Sequence, residues 1–193
     1  MKKAIFGFGG HAKEVSRQIG EEISFFVDDK YSNEQAKKIS SFDPTEYEIM
    51  VAIGDPKNRE KIVNLLPPNT KYFTFIHPTA LLMDSNIEIG EGTFIGAYSI
   101  LTSNIKLGKH SILNRGNHIG HDTLVGDYLS MMPGSIISGN CNIGNNVYIG
   151  TNSSIKEKIN ICDGAIIGLN SGVVSDIKEC AKYGGVPSKK LKI

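Results

Sequence analysis

Leu101-Thr-Ser-Asn-Ile-Lys-Leu107-Gly-Lys-His-Ser-Ile-Leu113-Asn-Arg-Gly-Asn-His-Ile119-Gly-His-Asp-Thr-Leu-Val125 places a large apolar residue at every sixth position. Extended both ways, the same phase collects Met83, Ile89, Ile95, Leu101, Leu107, Leu113, Ile119, Val125, Met131, Ile137, Ile143, Ile149, Ile155, Ile161, Ile167 and Val173. Half of them precede a glycine. Four residues further on the side chain is small, as at Thr93, Ser99, Ser111, Thr123, Ser135, Cys141, Ser153, Ala165 and Ser171. A period of six fits neither a helix nor a flat strand. It fits a parallel β-helix of three hexapeptides per coil, with one apolar side chain in six pointing into a narrow core. The spacing predicts about five coils starting near Leu81, with no external loop and no slip of phase. Asparagines such as Asn104, Asn140, Asn146, Asn152 and Asn170 suit corners that need left-handed backbone. Tyr98, Tyr128, Leu129 and Tyr148 read as apolar residues on the outer faces, which packing of prisms side by side would cover. Coils also need caps; residues 175–193 are the expected C-terminal one, with a short helix over 176–182.

Residues 1–76 follow another pattern. Lys3–Phe6, Ile23–Val27, Ile49–Ile53 and Tyr72–Ile76 read as strands, and residues 12–19 and 59–66 as helices, the second stopped by Pro67-Pro68. Alternation of this kind predicts a small Rossmann-like parallel sheet with crossover helices. The expected division is therefore an α/β domain over 1–76 and an all-β coil domain over 77–193. In an open parallel sheet, ligands bind beyond the carboxyl ends of the strands. Those ends carry Gly7-Phe8-Gly9-Gly10-His11, Asp28-Asp29 and Gly54. Glycines admit a pyrophosphate close to the backbone at a helix N-terminus, and carboxylates accept hydrogen bonds from a ribose or base. Gly7-x-Gly9-x-x-Ala12 also matches a dinucleotide fingerprint. Four strands leave no second mononucleotide half, so a nucleotide-linked small molecule fits better than NAD.

The 193 residues carry 21 basic and 20 acidic side chains, a net charge of +1, which gives no electrostatic footprint for nucleic acid. No apolar run is long enough to span a membrane. The start, Met1 to Phe6, reads as a strand rather than a signal peptide. Cys141, Cys162 and Cys180 match no zinc spacing, and Cys141 occupies a small-residue slot of the repeat. A reducing, cytoplasmic setting and no metal site are the expectation.

Five histidines are present: His11, His77, His110, His118 and His121. His110 reads as an exposed corner residue. His121 lies in the most polar stretch of the repeat and precedes Asp122. An imidazole suits a general base at neutral pH, and a carboxylate held against it fixes its tautomer and raises its basicity. A solvated corner histidine is the alternative reading of the same residues.

The opening Gly-x-Gly-Gly-His, the junction Ile76-His77-Pro78-Thr79-Ala80 and the coils with Asn-x-x-x-x-Ile-x-His-Asp together resemble the PglD/NeuD group of bacterial sugar acyltransferases, over essentially the whole chain. The resemblance implies a left-handed β-helix, an acetyl-CoA-dependent enzyme and a homotrimer with sites between subunits. It implies His121 as base, Asp122 as the neighbour that raises its basicity, and Asn114 as an orienting residue. Gly9, Gly10, His11, Asp28, Asp29 and Gly54 correspond to the acceptor site. Ser130, Thr151 and Leu169 correspond to positions along acetyl-CoA, and Gly185–Lys189 to a terminal segment near it. The acceptor implied is a nucleotide-linked amino sugar, of the UDP-4-amino type. O-acetylation of a sialic acid, or a non-catalytic nucleotide-sensing scaffold, are the alternatives.

Overall fold

The computed structural model describes residues 1–192. The chain opens with a five-stranded parallel sheet in which β1 (Lys2–Phe6) is followed by α1 (Gly10–Ile19), β2 (Ser24–Val27), β3 (Ala36–Lys38), β4 (Tyr47–Val51), α2 (Pro56–Leu65) and β5 (Lys71–Tyr72). The strand order is β3-β2-β1-β4-β5. α1 buries Ala12, Val15 and Ile19 and ends at Gly20, whose φ of 70° needs no Cβ strain. α2 starts three residues earlier than the apolar pattern implies. Asp55 caps it by accepting from the Asn58 N–H at 2.8 Å, with Pro56 in the first turn. The edge strand β3, Ala-Lys-Lys, has no alternating apolar signal, and the sequence reading misses it.

Beyond β5 the chain winds into a prism with three flat faces. Face I runs through Phe75–Ile76, Phe94–Ile95, Ile112–Leu113, Ser130–Met131, Tyr148–Ile149 and Ile166–Ile167. Face II holds Leu81–Leu82, Ile100–Leu101, His118–Ile119, Ile136–Ile137, Ser154–Ile155 and Gly172–Val173. Face III holds Glu88–Ile89, Lys106–Leu107, Leu124–Val125, Asn142–Ile143 and Asn160–Ile161. From Ile89 to Ile155 each strand pairs in parallel with the one eighteen residues later, as Ile119 does with Ile137. The predicted apolar positions from Ile95 to Val173 form one buried core. The small slots from Thr93 to Ser171 are likewise buried. The winding is that of the left-handed β-helix.

Four expectations change. The phase slips once, because Leu82 and not Met83 pairs with Leu101 and packs on the core, leaving Met83 62 % exposed. One extra residue is absorbed in the corner that follows. The strand expected at Tyr72–Ile76 is two: β5 closes the first sheet, whereas Phe75–Ile76 pairs with Phe94–Ile95 and already belongs to the prism. Residues 176–182 form no helix; Ile177 bridges to Ile161, and Lys182–Gly184 pairs with Ile166–Ile167 and with Lys189–Lys190. Leu129 points into the core rather than out. Tyr98 and Tyr128 sit on corners with φ of 59° and 61°, among left-handed positions that Asn104, Asn140, Asn146, Asn152 and Asn170 also fill.

Candidate active site

β1, β2 and β4 are neighbouring parallel strands, so their carboxyl ends bring Gly7–His11, Asp28-Asp29 and Gly54 to one edge of the sheet. Gly7 has φ 119°, and a Cβ there would lie 3.2 Å from the Ala52 carbonyl oxygen. Gly9 and Gly10 face open space, and no side chain caps the start of α1. Backbone N–H groups are thus left for an anion. The His11 ring turns toward the prism, edge-on to Phe94 at 6.3 Å, with Nε2 buried and unpartnered. Burial lowers its pKa.

Asp28, Asp29, Lys30, Asn58, Lys61 and Leu65 line a crevice of about 620 Å³ at this edge. The two aspartates differ. Asp29 Oδ1 accepts from the Ser40 N–H at 3.1 Å, and the hydrogen bonds from Ser40 hold its carboxyl below the usual range. The Asp28 carboxylate has no such partner among the described residues and is the free acceptor. Asn58 and Lys61 are additions to the sequence reading. A helix begun at Pro56 puts residues 58, 61 and 65 on one stripe, so the capping pattern was the missed signal.

The first domain sits on face I. Ile5, Ala12, Val15, Phe73, Phe94 and Ile112 share one core cluster. The guanidinium of Arg59, fully buried, pins the junction. Its Nε donates to the His110 carbonyl at 2.7 Å. Its terminal nitrogens donate to the carbonyls of Ile53 (2.6 Å), Tyr128 (2.7 Å) and Leu129 (2.9 Å) and to Ser130 Oγ (2.9 Å). Among the described residues no carboxylate pairs with it, and burial brings its pKa down to about 9. Ser130 Oγ in turn donates to the Gly54 carbonyl at 2.7 Å. Ser130 is therefore enclosed between the domains and wholly buried within one chain. The expectation of an exposed His110 is corrected. Its ring is buried, edge-on to Tyr72 at 4.6 Å and stacked on Tyr128 at 5.3 Å, and burial lowers its pKa to about 4. His110 looked exposed in the repeat because the repeat carries no record of what covers face I.

His121 and Asp122 occupy the corner between faces II and III. Asp122 has φ 57°, which swings its short side chain back to the preceding ring, and His121 Nδ1 lies 2.8 Å from Asp122 Oδ2. Asp122 Oδ1 accepts from Asn104 Nδ2 at 2.7 Å. The Asn104 bond, then the His121 bond, hold the Asp122 carboxyl below its ordinary value. With Nδ1 taken by a carboxylate, Nε2 is the ring atom left to exchange a proton. His118 stands exposed on face II.

Asn114 lies elsewhere, at the corner between faces I and II, buried and accepting from the Arg115 N–H at 2.8 Å. Within one chain it does not meet His121. Thr151 and Leu169 are exposed at that same corner, on successive coils. The His121 corner is opposite face I, so the crevice and the imidazole lie on opposite sides of one prism. Among the described residues no cluster of histidine, cysteine or carboxylates suits a metal. No helix is long and apolar enough to cross a membrane.

A family profile described as the PglD N-terminal domain matches residues 2–66. Over the whole chain, the acetyltransferase domain of PglB from Neisseria gonorrhoeae FA1090, solved with acetyl coenzyme A, is 28 % identical with a TM-score of 0.86, covering 98 % of each chain. WeeI from Acinetobacter baumannii AYE is 28 % identical with a TM-score of 0.89, covering 99 % of this chain and 100 % of that one. Together these matches support a PglD/NeuD-type sugar acetyltransferase with hexapeptide repeats. A mutant perosamine N-acetyltransferase from Caulobacter crescentus, solved with CoA and GDP-perosamine, shares the fold of this chain at 23 % identity, TM-score 0.88, covering 100 % of this chain and 98 % of that one. Comparison with curated protein sequences gives no match.

Proposed function

We propose that this acetyltransferase transfers the acetyl group of acetyl-CoA directly to the amine of a nucleotide-linked amino sugar, with His121 as general base. The observation that carries the proposal is the corner imidazole whose Nδ1 is engaged by Asp122, leaving Nε2 free. Residues 1–76 serve as the acceptor part, and residues 77–193 as the acetyl-donor part. The glycine turn at Gly9, Gly10 and His11 receives the pyrophosphate; Asp28, with Gly54 nearby, receives the nucleoside. Asp29 acts by shaping the wall of the crevice. Uridine diphosphate is the nucleotide we favour. Three unpaired cysteines accord with a reducing cytoplasm.

Acetyl-CoA supplies an activated thioester. Nε2 of His121 takes the proton as the acceptor nitrogen forms its bond to the acetyl carbon, and returns it to the departing sulfur, so proton and electron pairs balance. Asp122 holds the ring in the tautomer that leaves Nε2 basic and stabilises the imidazolium. Acceptor crevice and base lie on opposite sides of one chain, which supports a homotrimer in which neighbours complete each site. In it, the corner bearing Asn114, Thr151 and Leu169 adjoins the neighbour's His121 corner, and the exposed pair Thr151 and Leu169 flanks the coenzyme.

The test is thiol release from acetyl-CoA over UDP-, GDP- and dTDP-linked amino sugars and free sialic acid. His121→Ala is expected to lower turnover by about 10²-fold or more, with the trimer intact by light scattering. Near-normal turnover in that variant overturns the base. Release with sialic acid alone overturns the acceptor.

A further inference from the structure

The surroundings of His121 hold two residues that bear on its position: Gly139, which its own backbone conformation does not require, and Asn104, which suits a left-handed corner of the repeat but also reaches Asp122. The first is Gly139, one coil further along, directly against the imidazole. A Cβ on Gly139 would lie 2.7 Å from His121 Nε2, 2.9 Å from Cε1 and 3.0 Å from Cδ2. Its backbone is not left-handed, so conformation does not demand glycine there. Compare Gly120, where a Cβ would strike the Gly139 backbone N–H at 2.5 Å; there the coil itself needs glycine. At Gly139 the three nearest atoms all belong to the movable end of one side chain. Glycine at this place keeps room for a ring, and the edge it accommodates includes the proton-exchanging nitrogen.

The second is Asn104, one coil earlier at the same corner. Its Nδ2 donates to Asp122 Oδ1 at 2.7 Å, while Asp122 Oδ2 faces His121 Nδ1 at 2.8 Å. The carboxylate is held at both oxygens, so it cannot rotate away from the ring without breaking a bond to a neighbouring coil. An amide holds it without adding charge.

We propose that Asn104 and Gly139 are positioning residues for the transfer, Asn104 orienting Asp122 and Gly139 seating the imidazole so that Nε2 faces the acceptor. This rests on His121 being the base. Three consecutive coils thus build one corner: an amide, a histidine–carboxylate pair, and a vacant floor. Because the ring can yield more easily than the backbone, Gly139→Ala should fold and displace the base by several tenths of an ångström. A misplacement approaching 1 Å costs about 10²-fold.

The experiment measures kcat, KM for acetyl-CoA, the pH profile of kcat/KM and the melting temperature for the full chain and four variants. Gly139→Ala is expected to lower kcat by roughly 10- to 100-fold with KM for acetyl-CoA and melting temperature unchanged. Asn104→Gly, which keeps the left-handed corner open, is expected to lower kcat by about tenfold without altering KM. Asn104→Asp, which sets a second carboxylate against Asp122, is expected to shift the acid limb of the profile upward, since added negative charge favours the imidazolium. His121→Ala is the control. If it retains turnover, the base itself is wrong. If it loses turnover while Gly139→Ala and Asn104→Gly keep theirs, the positioning roles are refuted and the base stands. Loss of activity that tracks a fall in melting temperature, with no limb shift in Asn104→Asp, also refutes them.

Discussion

Replacing Arg59 by alanine should separate the two halves of this molecule energetically. Among the described residues Arg59 is the one side chain that donates to both sides of the junction, to Ile53 on one side and to His110, Tyr128, Leu129 and Ser130 on the other. In the variant, the Leu129 carbonyl keeps its ladder bond from Ile112 and the Gly54 carbonyl keeps Ser130 Oγ. The carbonyls of Ile53, His110 and Tyr128 lose their donor. Leaving a buried acceptor unpaired costs about 1–3 kcal/mol, and part of this is offset because the guanidinium itself has no carboxylate and is costly to desolvate. The net loss is expected to be about 3–5 kcal/mol, or roughly 10 °C in melting temperature for a chain of this size. Scanning calorimetry at neutral pH is the assay. One transition is expected for the parent chain, and two for Arg59→Ala, with the α/β part melting first and the prism near its original temperature. A single transition within about 2 °C of the parent would refute the view that this cation couples the domains.

Two further outcomes follow from the junction and the crevice. His110 has a folded pKa near 4, below its usual 6.5, so the unfolded chain binds its proton first and stability rises with pH across that window. The contribution is present above about pH 6.5 and is lost on acidification toward 4, by about 2 kcal/mol. Urea titrations from pH 7 to 4.5 should show that slope, and a flatter one in His110→Asn. Asp28→Asn, by removing the free carboxylate of the crevice, is expected to weaken nucleotide binding by about tenfold or more in calorimetric titration. Asp29→Asn should instead loosen the turn at Ser40 and lower the melting temperature more than the affinity.

The sixfold apolar spacing was legible because each coil sees the same surroundings: one inward residue, one small residue and one corner. A repeat of that kind encodes its own core, and from Ile95 to Val173 every predicted position is buried. The contact between His121 and Asp122, the proposed base and its partner, was legible for a related reason, since the two are adjacent in sequence and only the left-handed corner at Asp122 was needed to bring them together. The alternation of strands and helices likewise exposed Gly7–His11, Asp28-Asp29 and Gly54 as three neighbouring strand ends.

What the tertiary structure decided is everything that depends on which face is covered. Ser130 and His110 follow the repeat as faithfully as their counterparts on other coils, yet the first domain encloses them, and burial gives them roles in packing. Asn114 and His121 are seven residues apart, yet a three-cornered coil sends them to different corners. Leu82 replaces Met83 because pairing with Leu101 outweighs the count of residues. Asn104 and Gly139 gain meaning only when coils stack, since residues eighteen apart become neighbours across the ladder. Local spacing governs where a side chain points. Contacts between distant segments govern what it meets there, and so whether it is a surface residue, a pin or part of the site.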